Sequence, residues 1–443
     1  MLVERFITYF ARKKNADYLQ FNSSAPPALP SRDKDAPTLL YMHVPFCEEL
    51  CPYCSFNRVV FKEDVARAYH RALRKEILMY KDLGYDFRAL YVGGGTPTVL
   101  IEELGQTIAL IRESFHLSEI SVETNPNHLT ETNIDYLKKM GVNRLSVGVQ
   151  TFDDDTLKTV ERYHKYGSGV EIAERLKYTQ GHFDTLNADM IFNFPTQTME
   201  ILEKDLSILN ELKIDQITYY PLMVSSYTQE AISRKLGVVN YNRGNQLYLK
   251  ITQMLASNYL ASTAWCFSRK DRMARRSNPE MEGATPLGGQ AQNAPIIDEY
   301  VVNYDEYAGL GSGSIGYLGG TAYANTFDIM AYIHEVDEGS LPLAAKKEFT
   351  MKERMRYDFL MKLFGLTLDL RQMAVKHGQS AYRYLWPEIL FFRLMGGITK
   401  SGSTLRLTQK GQYYWVLMMR EFFIGVNNFR DYCRAQLKAS KIL

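Results

Sequence analysis

Tryptophan and cysteine are scarce in this 443-residue chain, with 3 and 5 copies. Five cysteines are too few, and an odd number, for the disulfide framework of a secreted domain. No uninterrupted apolar run approaches the roughly 20 residues that a membrane-spanning helix needs. The first residues, MLVERFITYFARKKN, alternate charge and hydrophobe too early for a signal peptide. The cytoplasm is therefore the expected location. Neither sign of charge is in excess: 52 Lys and Arg stand against 50 Asp and Glu, a formal net charge of +2. That balance gives no support for a nucleic-acid or acidic-membrane partner. The remaining composition, 46% hydrophobic and 23% charged, is that of an ordinary globular protein. The length allows one large core and one or two smaller units.

What cysteine there is, is concentrated. Cys47, Cys51 and Cys54 follow one another as C-x3-C-x2-C, directly after the β-rich run from Leu39 to Val44. Three thiolates on one loop can hold three corners of a [4Fe–4S] cluster and leave the fourth iron without a protein ligand. An open iron can chelate an amine and a carboxylate, which is how S-adenosylmethionine (SAM) is held for reductive cleavage. One electron passed to the sulfonium then releases a 5′-deoxyadenosyl radical. The rival readings are structural zinc and inert core cysteines. Zinc wants four ligands; the nearby fourth candidate is His43, while Cys266 and Cys433 are distant in sequence.

Residues 1–20 read as an amphipathic helix with Leu2, Phe6, Ile7 and Phe10 on one face, and Ser23 to Pro37 as a proline-rich connector. Short β-rich runs then alternate with longer helical ones. Strands are expected at 39–44, 89–93, 119–123, 144–148, 186–192 and 215–221, and helices at 63–83, 101–115, 130–140, 169–178 and 199–212. This is the pattern of an α/β fold, a parallel sheet wound by crossover helices. Six such units make an incomplete (β/α)6 barrel.

In such barrels function gathers at the carboxyl ends of the strands. Strand one runs into the cysteine loop and strand two into Gly93-Gly94-Gly95-Thr96-Pro97. The next four end at Glu123, Gln150, Asp189 and Tyr219-Tyr220-Pro221. Glycines without Cβ atoms let the backbone approach a ligand closely. Asp189 sits inside an apolar strand, where a charge is costly unless it finds a partner. Arg162 follows Gln150 by twelve residues.

Beyond strand six a helix is expected at 241–260. The polar stretch from Ser268 to Ile297, with Arg269, Lys270, Arg272, Arg275 and Arg276, reads as a solvated loop or as a lid. The run Tyr307 to Gly316 lacks the strand-then-helix setting of a dinucleotide fingerprint. From about Glu348 the chain changes character: helices at 351–364, 369–375 and 380–392, a two-stranded element at 397–408, and a last helix holding Tyr413 to Met419 and Phe422 to Ile424. Lys400, Arg406 and Lys410 are too few for a nucleic-acid surface. The apolar excess of the last helix suits packing on the barrel, a lipid-like substrate or a peripheral membrane contact. The expected division is 1–37 helix and linker, 38–335 barrel, and 336–443 C-terminal domain.

Residues 41–54, with the strand-end motifs, resemble the radical SAM superfamily. Within it they look like the branch of the oxygen-independent coproporphyrinogen III oxidase, which also holds heme chaperones and class C radical SAM methyltransferases. The resemblance implies a partial (β/α)6 radical SAM barrel with a C-terminal α-rich, winged-helix-like domain, and Cys47, Cys51 and Cys54 as ligands of a [4Fe–4S] cluster. It implies two SAM molecules. Tyr41, Gly94, Gly95, Thr96, Glu123 and Pro221 would hold the first; Gln150, Arg162 and Asp189 would hold the second. Asn325 stands where the oxidase family carries a Gln beside the two. Phe56 stands where the oxidase carries a further cysteine, a C-x2-C-x-F pattern that heme chaperones share, though they are shorter chains. The loss of that cysteine together with the retained Gln150, Arg162 and Asp189 favours the methyltransferases, and resemblance of the whole favours among them those that methylate the naphthoquinone ring of menaquinone at C8. The oxidase and the heme chaperone, a binding protein, are the alternatives. The implied partners are an aromatic small molecule, quinone or porphyrin, and an electron donor such as a reductase, flavodoxin or ferredoxin.

Overall fold

The computed structural model describes residues 2–18, 28–30, 38–226, 228–273 and 304–440. Most of the connector expected at 23–37, and residues 274–297 of the polar loop with Arg275 and Arg276, lie outside the described residues. The six expected strands form within a residue or two of their expected bounds. They are β1 (Thr38–Val44), β2 (Ala89–Gly94), β3 (Glu119–Thr124), β4 (Arg144–Gln150), β5 (Thr185–Phe192) and β6 (Gln216–Pro221). Each is buried almost throughout, because helices cover one face of the sheet and packed side chains fill the other, and the polar residues among them, such as Arg144, Ser146, Asn187 and Gln216, are buried too. The crossover helices are α1's successors in the chain: α1 (Leu2–Tyr18) is followed by α2 (Glu63–Asp82), α3 (Ile101–Ser114), α4 (Glu131–Lys139), α5 (Gly169–Thr179) and α6 (Met199–Leu212). Their starts are written locally. Thr130 and Thr198 cap α4 and α6, and Ser168 forms a reciprocal capping box with Glu171 at α5.

Strands β1 to β6 lie side by side in chain order, all parallel. The barrel is open: β1 pairs on its other side with β9 (Glu306–Leu310), and β6 pairs with β8 (Cys266–Arg269). Strand β7 (Tyr259–Ala261) extends one edge. The other edge continues through β10 (Ile315–Leu318), β11 (Thr321–Asn325) and β12 (Leu343–Glu348), so twelve strands share one sheet. The helix expected at 241–260 is shorter, α7 (Gly244–Leu255). Its expected last turn becomes β7, where the Tyr259 hydroxyl donates to the carbonyl of Ile214 at 2.9 Å. The basic residues at the start of the polar stretch are anchored. Arg269 and Arg272 face Asp215 at 3.8 and 3.7 Å.

The C-terminal part follows as α8 (Ile329–Asp337), α9 (Met351–Phe364), β13 (Thr367–Asp369), α10 (Leu370–His377), α11 (Ala381–Leu394), the hairpin β14 (Ile398–Ser401) and β15 (Thr404–Leu407), and the long α12 (Gln409–Ser440). Strand β13 pairs with β15, and β15 with β14. The apolar run of α12 is core: Tyr413, Trp415, Val416 and Met419 are buried, and Trp415 Nε1 donates to the Leu360 carbonyl at 3.0 Å. α1 packs along α12, with Arg12 Nε donating to Glu421 at 3.0 Å. The face it buries is centred on Ile7, whereas Leu2, Phe6 and Phe10 are exposed. The expected apolar face is therefore corrected. The side chain that meets α12 is set by a partner from the opposite end of the chain. No helix among the described residues is long and apolar enough to cross a membrane.

Candidate active site

The cysteine loop is closed at its base by a two-residue parallel pairing of Phe46–Cys47 with Val59–Val60. Val59 N donates to the Pro45 carbonyl at 2.7 Å and Phe61 N to the Cys47 carbonyl at 2.8 Å. Inside it, one nitrogen of Arg58 donates to the carbonyls of Cys51 and Cys54, both at 2.6 Å. His43 Nε2 meets the Asn57 carbonyl at 2.7 Å. A carbonyl can only accept, so Nε2 carries the proton, and the Tyr41 hydroxyl donates to Nδ1 at 3.0 Å. All three thiols are free, Cys47 buried and the others half-buried. Among the described residues no three His, Cys, Asp or Glu side chains converge as ligands of one metal ion. A zinc site would require such convergence.

Beside this loop runs the glycine segment. A Cβ at Gly95 would lie 2.5 Å from the Phe46 carbonyl oxygen and 3.0 Å from Cys47 Sγ. Gly94 has φ +122, a backbone that side chains rarely adopt. Thr96 Oγ1 points at Cys47 Sγ at 3.7 Å. The glycines thus let β2 pass directly against the cysteine loop.

Two buried carboxylates face the same space. Glu123 accepts from the Tyr91 hydroxyl at 2.8 Å and from Gly94 N at 3.1 Å. Burial first, and the neighbouring Asp189 second, push it up to about 7. Asp189 accepts from Ser146 Oγ at 2.7 Å and Asn187 Nδ2 at 2.8 Å, and burial pushes it up to about 6. Carboxylates held this way favour a cationic ligand, which would restore their ionised forms.

Arg162 is 3% exposed. Its Nη1 reaches Cys51 Sγ at 3.5 Å, its Nη2 donates to Asn125 Oδ1 at 3.2 Å and to the Gly148 carbonyl, and its guanidinium lies 4.0 Å over the Tyr166 ring. Burial opposes its charge, but Tyr53 and Cys51 hold it protonated. Gln150 takes φ +74 where the β4–β5 register shifts. Such strain, in a non-glycine residue at a strand end, is typical of ligand sites.

One cavity of about 280 Å3 joins these groups. Cys47, Cys51 and Cys54 line it, with Gly94, Gly95 and Thr96 beside them; Tyr41, Glu123, Gln150, Arg162, Asp189 and Pro221 complete the sequence-derived set. Asn325 is placed elsewhere: its amide donates to Glu76 Oε1 at 2.9 Å, behind β9. Other lining residues had no sequence signal. Arg58 and Arg144 are lone cations in sequence, and Trp265, Met419, Phe423 and Asn427 come from distant segments. The last three are spaced i, i+4 and i+8 along α12; Met419 and Phe423 were visible only as general apolarity, and Asn427 carried no signal.

The residues present fit a [4Fe–4S] cluster with SAM: three thiols of one loop, a glycine backbone without side chains beside them, and two buried carboxylates lining the same cavity. Comparison with known proteins agrees. The model of the radical SAM superfamily matches residues 41–209. The heme chaperone HemW of Lactococcus lactis is 30% identical over 305 residues, 67% of this chain and 74% of its own. The oxygen-independent coproporphyrinogen III oxidase of Salmonella typhimurium is 27% identical over 390 residues, 86% of this chain and 82% of its own. The solved coproporphyrinogen III oxidase (HemN) of Escherichia coli superposes with a TM-score of 0.72 at 24% identity, covering 92% of this chain and 95% of that one, which establishes the fold. These relatives overturn the expectation of a menaquinone C8-methyltransferase. Resemblance of the whole had suggested it, and the relatives carry the other two names of the branch. The chain belongs to the radical SAM superfamily, in the branch that contains HemW and the oxygen-independent coproporphyrinogen III oxidase.

Proposed function

We propose that this protein binds a [4Fe–4S] cluster on Cys47, Cys51 and Cys54 together with SAM, and acts on a tetrapyrrole in the manner of the oxidase. The observation that carries this reading is the single cavity shared by the three thiols, the glycine segment and the paired carboxylates. The cluster, when bound, supplies one electron to the sulfonium and so gives access to 5′-deoxyadenosyl radical chemistry. The chain's own residues do the rest. Gly94 and Gly95 bring backbone polar groups against the cofactor, and Glu123 offers a carboxylate to its ammonium or ribose. Met223, Trp265, Met419 and Phe423 wall the remaining space with apolar surface suited to an aromatic substrate. The superfamily's cofactor chemistry requires SAM; Gln150, Arg162 and Asp189 carry the expectation of a second molecule, for which equilibrium dialysis at saturation should return two SAM per chain.

The test is anaerobic turnover of the reconstituted protein with SAM, a reductant and coproporphyrinogen III. Decarboxylated porphyrinogen, formed with methionine and 5′-deoxyadenosine, supports the reading; SAM cleavage without decarboxylation argues against it. A second reading is favoured by Phe56, which lines the cavity where the oxidase pattern calls for a further cysteine. As a heme chaperone the chain would bind heme stoichiometrically and leave coproporphyrinogen unchanged. We read the C-terminal helices and hairpin, which follow one another in winged-helix order, as a support for α12 at the cavity wall.

A further inference from the structure

A second cavity, of about 190 Å3, opens beside the first and shares Tyr41, Phe56, Phe423 and Asn427 with it. It lies between the β9–β11 edge of the sheet and α12, and its chemistry differs. Among the described residues, the charged ones that line it are Arg356 and Arg430, and no Asp or Glu is among them. Tyr317, Phe349 and Tyr357 form a wall in mutual contact, with ring centroids 4.3 to 6.1 Å apart. Arg430 is 6% exposed; its Nη2 donates to Asn427 Oδ1 at 3.0 Å, and its guanidinium sits 6.0 Å from the Phe56 ring centroid, on the boundary between the cavities. Arg356 Nε donates at 2.7 Å to Glu388, which holds it from outside the lining.

A guanidinium facing an aromatic-walled cavity suits a carboxylate on a short hydrocarbon arm. The planar fork binds the two oxygens, and the rings cover the methylenes. We propose that this cavity receives a carboxylate arm of the substrate, with Arg430 as its anion partner and Arg356 as the supporting cation, while the substrate ring lies toward the first cavity past Phe56. The proposal rests on the tetrapyrrole reading above and names the residues that would recognise its side chains. A carboxylate could also come from the methionyl end of SAM, so the test separates the two.

Binding of coproporphyrin III, of its tetramethyl ester and of SAM is measured on the reconstituted protein and on Arg430→Gln, Arg430→Lys and Arg356→Gln. Thermal unfolding and cluster absorption identify variants that fold. The wild type should bind the tetra-acid at least tenfold more tightly than the ester. Arg430→Gln should lose at least tenfold for the acid and nothing for the ester or SAM, Arg430→Lys should regain part of that loss, and Arg356→Gln should lose less than Arg430→Gln. Equal binding of the acid by Arg430→Gln and wild type, or a loss that falls on SAM, overturns the proposal and leaves the tetrapyrrole reading standing. If the wild type binds neither porphyrin, that reading fails and the proposal falls with it.

Discussion

Arg58 and Cys54 are joined across the cysteine loop: Arg58 Nη2 donates to the Cys54 carbonyl at 2.6 Å while also holding the Cys51 carbonyl at 2.6 Å. A charged donor shared by two of the loop cysteines fixes their spacing, which a cluster bound as proposed would use. Each hydrogen bond to a charged group contributes about 1.5–3 kcal/mol. Arg58→Ala should therefore fold but take up cluster poorly, and Arg58→Lys should recover only part, since an ammonium lacks the planar fork. Iron content and cluster absorption after anaerobic reconstitution check this; full cluster occupancy in Arg58→Ala would contradict it.

The glycine segment makes a steric prediction. A methyl at Gly95 meets backbone at 2.5 Å and Cys47 Sγ at 3.0 Å, so Gly95→Ala must displace the cysteine loop. Overpacking of this kind costs about 1–3 kcal/mol. The variant should show a lower unfolding midpoint and lose SAM binding.

Glu123 and Asp189 set a pH dependence. Their proton affinities are raised in the folded chain, to about 7 and about 6. Between the ordinary carboxylate range and these values the folded state holds more protons than the unfolded one, so their contribution to stability is full at low pH and is lost as pH rises through 6 and 7. A cationic ligand binds the ionised forms and reverses that loss. The thermal stabilisation by SAM should accordingly grow from pH 5.5 to pH 8, and Glu123→Gln should flatten the profile. A SAM shift independent of pH in the wild type would count against a carboxylate contact.

Asn325 gives a contrasting case. Its amide bonds Glu76, which is buried, pushed up to about 7 chiefly by burial, and also held by the Tyr332 hydroxyl at 2.5 Å. Asn325→Ala should cost about 1–3 kcal/mol of stability by leaving Glu76 short of a donor, with SAM affinity unchanged. A selective loss of SAM binding at unchanged stability would return Asn325 to the cofactor site.

These cases show what the sequence could carry. Cys47, Cys51, Cys54, the glycine run, Glu123 and Gln150 each lie at or just past the carboxyl end of a strand with strong local signals, and strand order brought them to one mouth without further information; Asp189 lies inside β5 and lines the same cavity. Asn325 also ends a strand, but an antiparallel one beyond β9, paired on both sides, where strand ends do not share that mouth. Arg58 acts through the loop's own curvature, and Phe423 and Arg430 through the docking of α12 more than two hundred residues after β6. The buried face of α1 differs from the expected one for the same reason: Ile7 is buried where α1 packs along α12, a contact that no local periodicity encodes.

The most direct test is iron–sulfur reconstitution under strict anaerobiosis followed by reduction with SAM present. The wild type should carry about four iron per chain and form 5′-deoxyadenosine and methionine in equal amounts, and Cys47→Ala, Cys51→Ala and Cys54→Ala should each lose both properties. A wild type that takes up no iron, or cysteine variants that still cleave SAM, would contradict the account.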